Sequence, residues 1–241
     1  MKRFLLMFLA AVLTASFTFA QIKIGGKEGR IGFRAGVNLA KLAGDLADYW
    51  DEGGYDIKYK PGIQLGVVVE FPMKNEKFVI QPGILFSQTG AKYKISTSMD
   101  MNDSKMTIKD MRTYTLNYLQ VPVNFLYKHD LGGSMLLLQA GPYLGYAIGG
   151  KNKTENSTTL KPDPNNLSSK KNDSKSIKFG SDKDKHDYKA FDLGFGLGAG
   201  LMFNEKIQAG LSYNLGLSDI GHYRSAKNRF ISFTLTYLIG K

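Results

Sequence analysis

Arg34, Glu70 and Asp192 are charges set in runs that otherwise alternate apolar and small residues. Counted by period 2, they fall on the non-apolar face together with Gln64, Gln81, Gln120 and Gln139. If that face is enclosed, each charge must be paired or hydrated, because isolating a charge in low dielectric costs several kcal/mol. The seven residues therefore read as an internal polar ion-pair network that fills a lumen; the functional alternative is a gate or conduction path. A catalytic reading would need a nucleophile and a base within hydrogen-bond reach. His129 sits in a short turn and His186 in a polar loop. His222, in Gly221-His222-Tyr223-Arg224, has Ser218, Asp219 and Ser225 nearby in sequence, which would suit a lipid-acting serine hydrolase. A triad is defined by geometry, so His222 is carried only as a candidate loop site, and no catalytic residue is expected.

Other chemistries lack their residues. The chain has no Cys, which removes disulfides, thiolate metal sites, a cysteine nucleophile and a lipid-modified cysteine anchor. It shows no metal-ligand spacing, phosphate-cradling loop or dinucleotide fingerprint, so no metal and no cofactor are expected. The Gly-x-Gly run at 194–200 reads as lining of a β-structure.

The N-terminus orders Lys2-Arg3, an apolar run from Phe4 to about Leu13, and Thr18-Phe19-Ala20 before Gln21, which is the layout of a secretory signal over residues 1–20. Nothing after it is long and apolar enough for a membrane helix of about 20 residues. Without Lys2 and Arg3, 30 basic residues stand against 21 acidic ones. Such a charge fits lipid phosphates, nucleic acid or simple solubility. Export and the absence of a recognition motif count against nucleic acid.

After a short lead, 21–30, period-2 alternation runs to the end. It marks eight strands: Ile31–Leu39, Gly62–Phe71, Phe78 to about Tyr93, about Thr113 to Tyr127, Met135–Ile148, Phe191–Phe203, Ile207–Leu215 and from Ile231. Short turns after the second, fourth and sixth strands alternate with long connections at about 40–61, 94–112, 149–190 and 216–229. That alternation is the layout of outer-membrane barrels. Glycines such as Gly32, Gly66, Gly141 and Gly194–Gly200 keep to the polar face, where a solvated strand would be weakened by them but a narrow barrel interior needs small residues. The predicted fold is all-β: an eight-stranded antiparallel up-and-down transmembrane β-barrel over 31–241. Pro82, Pro122 and Pro142 lie inside strands, so bulges or ladder breaks are expected there. Phe71, Phe78, Tyr127, Tyr146, Phe203 and Tyr237 are placed to form interfacial aromatic belts. The connection from Lys151 to Asp187 holds nine Lys against six acidic residues and reads as a hydrated, mobile loop.

Gly32-Phe33-Arg34-Ala35-Gly36-Val37-Asn38-Leu39 after a signal segment resembles the opening of PorT-like, or porin-family, outer-membrane β-barrel proteins. Gln81-Pro82, Tyr118-Leu119-Gln120-Val121-Pro122, Phe191-Asp192-Leu193-Gly194, Tyr213-Asn214-Leu215-Gly216-Leu217 and the end Leu235-Thr236-Tyr237-Leu238-Ile239-Gly240 match in the same order. The resemblance implies an eight-stranded barrel in the outer membrane; it implies no open pore.

The function expected is a membrane-embedded structural or interaction scaffold with a filled lumen, not an enzyme. A narrow channel for ions or small solutes is the alternative, since eight strands leave an interior that side chains just fill. The expected partners are outer-membrane lipid and, through the basic outer loop, lipopolysaccharide phosphates. A monomer is expected, and the residues name no protein partner.

Overall fold

A computed structural model describes residues 23–24, 27–101, 104–161 and 168–239. The expected signal segment, 1–20, lies outside the described residues. The elements are β1 Lys23–Ile24, β2 Lys27–Glu28, β3 Arg30–Ala43, α1 Asp45–Glu52, β4 Asp56–Lys58, β5 Lys60–Pro72, β6 Phe78–Met101, β7 Ser104–Asp130, β8 Ser134–Lys161, β9 Ser169–Ser176, β10 Phe191–Phe203, β11 Ile207–Gly216 and β12 Lys227–Ile239. The strands β3, β5, β6, β7, β8, β10, β11 and β12 pair antiparallel in chain order, and β12 returns to β3, closing an eight-stranded up-and-down barrel. Closure leaves no free edge within the membrane, where an unpaired backbone group would cost several kcal/mol.

The alternation decides which way each side chain points. Arg34, Asn38, Gln64, Glu70 and Asp192 are buried inside, while Val37, Ile63, Leu65, Ile84, Phe125, Leu197 and Leu235 are exposed on the outside. An exposed apolar band around a closed barrel is what lipid requires and water penalises. Among the described residues no helix is long and apolar enough to cross a membrane. Phe78 packs on Tyr127 at 5.3 Å near the inner end, and Tyr146 on Phe191 at 5.2 Å near the outer end.

The internal prolines break the ladder without shifting it. Pairing of β6 with β7 passes from Pro82–Val123 to Leu85–Gln120, and that of β7 with β8 from Pro122–Tyr143 to Phe125–Ala140, the register being kept. A single true shift occurs between β7 and β8 at Asn117/Tyr118.

Two segments differ from their expected form. Residues 94–101 and 104–112 are not a loop: they continue β6 and β7, which stay paired as far as Met101 and Ser104. Likewise 149–161 and 169–176 are strand, and β4, β6, β7, β8 and β9 form an external sheet. β6 to β8 run 24 to 28 residues, so they extend about 40 Å beyond the lipid-facing rows at about 3.3 Å per residue. Ser, Thr, Lys and Asn wet both faces here, so the apolar alternation vanishes while the ladder continues.

Candidate functional site

The lumen is filled by side chains in layers, and its inner layer is ionic. Glu70 Oε1 receives Arg30 Nη2 and, at 2.7 Å, Lys128 Nζ; its Oε2 accepts from Gln208 Nε2 at 2.8 Å. Glu70 is 1% exposed, and both cations are largely shielded, so the carboxylate's burial is offset by two opposite charges. Gln208 links upward, accepting from Gln81 Nε2 at 3.1 Å. Gln81 Oε1 accepts from Arg34 Nη2 at 2.5 Å, and Arg34 Nε donates to Thr236 Oγ1 at 2.9 Å. Glu70 and Arg34 thus share one network, joined through two glutamines rather than by a direct ion pair.

Above Arg34 lies a cavity of about 30 Å³ bordered by Gln64, Gln120, Gln139, Asn124 and Asn214, room for roughly two waters. Gln64 Nε2 donates to Gln120 Oε1 at 3.4 Å across it. Gln139 is half-buried at its edge. Gly194 keeps its polar-face position for a specific reason: a Cβ there would strike the Tyr143 ring, which lies across the lumen.

Asp192 belongs to a second, outer network with no cation in it. Its Oδ2 accepts from Asn228 Nδ2 at 2.9 Å and Tyr143 OH at 3.2 Å, and its Oδ1 from Ser218 Oγ at 3.2 Å. Asn228 also donates to Tyr118 OH and accepts from Thr89 Oγ1. The expected ion-pair network is therefore corrected at both Arg34 and Asp192: neutral partners hold them, and only Glu70 is ion-paired.

The outer mouth is covered by an apolar cap. Leu42, Tyr93, Leu116, Tyr118, Ile177, Tyr188, Ile220 and Ala226 form one buried cluster, with Trp50 of α1, Ile57 and Phe179 packed against it. Trp50 lies 5.3 Å from the Tyr93 ring and 4.9 Å from the Arg112 guanidinium. The backbone ties the cover down: Ile177 N donates to Gly150 O, Lys189 N to Ile220 O, and Ala147 N to Ala190 O. Burial, with the nearby Tyr114 adding, pushes the Tyr93 and Tyr188 hydroxyls up, so both stay neutral at physiological pH.

His222 does not meet a nucleophile. Its Nε2 lies 3.0 Å from Gly180 O, whereas Ser218 Oγ is engaged by Asp192 and the Leu193 backbone, and Asp219 Oδ1 accepts from Gly221 N and Ala226 N. These three residues fasten the cap. Among the described residues no cluster of three or more His, Asp or Glu could hold a metal. The sequence reading missed Arg30 and Lys128, and it missed the cap. Arg30 lay in the lead and Lys128 at a strand end, where inward parity was the available signal. Ile177, Phe179, Tyr188 and Ile220 were isolated apolar residues in polar stretches, which was the signal for the cap.

Residues 19–221 match the model of the outer membrane protein beta-barrel domain family, so the chain belongs to that family of outer-membrane β-barrels. Its fold is similar to that of Ail, the attachment invasion locus protein of Yersinia pestis, solved with the heparin analogue sucrose octasulfate: 16% identity over 88% of this chain and 100% of that one, TM-score 0.35. It is also similar to the Neisserial surface protein A: 11% identity over 88% of this chain and 99% of that one, TM-score 0.33. The outer membrane channel of Pseudomonas putida F1 matches at 10% identity over 92% of this chain and 98% of that one, TM-score 0.28. No curated protein matches the chain significantly.

Proposed function

We propose that the chain is a sealed outer-membrane scaffold: a barrel whose lumen conducts nothing and whose extended strands hold a folded sheet outside the cell. The observation that carries this reading is the double closure, with a hydrogen-bonded lumen from Glu70 to Asp192 beneath an apolar cap centred on Tyr93 and Tyr188. Ions crossing would have to shed water to pass the cap, whose packed aromatic and aliphatic side chains offer no charged group in the buried cluster. Within the family, the ordered matches from Gly32 to Gly240 favour the PorT-like branch, and residues 1–20 are a signal cleaved before insertion. The reading assigns no catalysis to the chain.

Planar-bilayer recording on the purified protein is the test, with no steady conductance steps expected. Resolved, reproducible steps would instead support the narrow channel, whose specific observation is the polar cavity of about 30 Å³ beside Arg34. N-terminal sequencing of protein extracted from membranes should start at Gln21; a retained Met1 would contradict cleavage.

A further inference from the structure

We infer that Arg229, Lys41, Lys58, Lys92 and Lys153 form a belt that binds the phosphates of a thick, phosphorylated glycolipid headgroup in the surrounding outer leaflet. This rests on the outer-membrane placement proposed above but not on the sealed lumen.

Direction is the first argument. The lipid-facing parity runs directly into a cation on two strands, from Val37 and Leu39 to Lys41 on β3 and from Phe233 and Ile231 to Arg229 on β12; on β6, Gln88 and the buried Gly90 (φ 127°) separate Ile84 and Phe86 from Lys92, which pairing sets on one face with Lys58 and Lys153. On β8 the shift at Asn117/Tyr118 carries the outward face from Ile148 to Lys151 and Lys153. These side chains therefore point sideways, into the layer beside the barrel, rather than up into the medium.

Adjacency is the second. Lys41 stands directly opposite Arg229, Lys58 opposite Lys92, and Lys92 reaches Lys153 across Thr113. The Lys41 ammonium sits 5.4 Å from the ring of Tyr59, which joins this pair to Lys58. Like charges directly opposite on neighbouring strands are destabilising. Two belt residues are relieved locally, Lys58 by Asp56 at 3.3 Å and Lys153 by Glu155. Lys153, by its hydrogen bond, holds the Glu155 carboxyl below its ordinary range, with Lys170 and Lys92 adding. Lys41 and Arg229 have no ion-pair partner among the described residues, and Lys92 shares the single Glu155 carboxylate with Lys153 and Lys170, so the belt keeps excess positive charge for which an external anion is the natural counter-charge.

Height selects the headgroup. Lys41 and Arg229 lie two residues, about 7 Å, beyond Leu39 and Ile231, but Lys92 and Lys153 lie six and five residues, roughly 15–20 Å, beyond Phe86 and Ile148. A phospholipid headgroup layer is only about 5–8 Å deep and would leave the upper lysines unengaged. Phosphates carried at several depths on a glycan would meet both levels.

The test measures retention of a bis-phosphorylated acylated glucosamine disaccharide by the immobilised, detergent-solubilised full chain, beside its dephosphorylated form and phosphatidylglycerol. The phosphorylated glycolipid should be retained most tightly, more weakly as salt rises. K41Q/K92Q/R229Q should lose on the order of a hundredfold, at roughly fivefold per cation near an anionic surface. K171Q/K175Q/K183Q, which removes equal charge away from the belt, should lose far less; heat-modifiable gel migration verifies that both variants are folded. Equal retention of the dephosphorylated form, equal loss in the two variants, or equally tight phosphatidylglycerol would each overturn the inference. Retention of a soluble sulfated glycan without the glycolipid would overturn it too. None of these outcomes bears on conductance, so the sealed-lumen reading stands or falls separately.

Discussion

The two ends of the lumen are closed by opposite means. At the inner end one carboxylate, Glu70, gathers Arg30, Lys128 and Gln208 within about one layer. At the outer end the closure is apolar and spread over many residues that come from β3, α1, β4, β6, β7, β8 and the segments after β9 and β11. A charge-centred closure has a single point of failure, because removing the shared partner strands two buried cations. A distributed apolar closure degrades by increments, each set by the cavity left behind. The same barrel thus carries a brittle plug below and a forgiving cover above.

Glu70→Ala attacks the brittle end and should have the largest effect. Leaving Arg30 and Lys128 enclosed without their anion should cost about 3–5 kcal/mol, read as a lower urea midpoint for unfolding in detergent. A change under about 1 kcal/mol would mean that water reaches this layer and that the inner end is no plug.

Tyr93→Ala attacks the forgiving end. The cavity should cost the cap about 3 kcal/mol, and Trp50, the chain's single tryptophan, reports on it directly from 5.3 Å away. Trp50 emission should shift to the red and protease should cut between 177 and 190 sooner, while the heat-modifiable migration of the barrel is unchanged. If barrel and cap loosen together, the two closures are one cooperative unit and the contrast fails.

Asp192→Asn refines the comparison, since Asp192 is the outer counterpart of Glu70 but has only neutral donors around it. The amide would point an N–H at one of those donors, which should cost about 1–2 kcal/mol. Glu70→Gln should cost more in the same assay, because it also removes the charge facing two cations. Equal losses would show that the cations contribute nothing to the inner closure.

What could be read in advance follows from periodicity. Inward parity put Arg34, Gln64, Glu70, Gln81, Gln120 and Asp192 on one face, and all six are buried, because period 2 is a property of the extended backbone and holds wherever no bulge intervenes, as one does at Asn117/Tyr118. Partners were not readable: Arg30 reaches Glu70 across a strand pair, and Asn228 reaches Asp192 from 36 residues away. The external sheet was hidden because a strand wet on both faces carries no apolar alternation, so 149–161 and 169–176 looked like loop. The cap was hidden for a related reason. Tyr93 lay at the fading end of a strand pattern, and its contacts Leu42, Ile177 and Ile220 are far away in the chain.

The smallest effect should carry the opposite sign. The Tyr93 hydroxyl is buried and has no hydrogen-bond partner among the described residues, a state that costs free energy without adding packing. Tyr93→Phe keeps the ring against Trp50 and removes that oxygen, so the cap should be unchanged or up to about 1 kcal/mol more stable. The pH dependence checks the same point. Burial raises the folded pKa of Tyr93, so its contribution is intact below the unfolded value of about 10 and is lost as pH climbs above it. Tyr55, Tyr114 and Tyr188 are shifted the same way, chiefly by burial, and remain in the variant. Alkaline loosening of the cap, followed by Trp50 emission, should therefore persist in Tyr93→Phe but be shallower. A variant that loosens at lower pH than the parent would show that the hydroxyl is hydrogen-bonded after all, and that the cover above the lumen is partly polar.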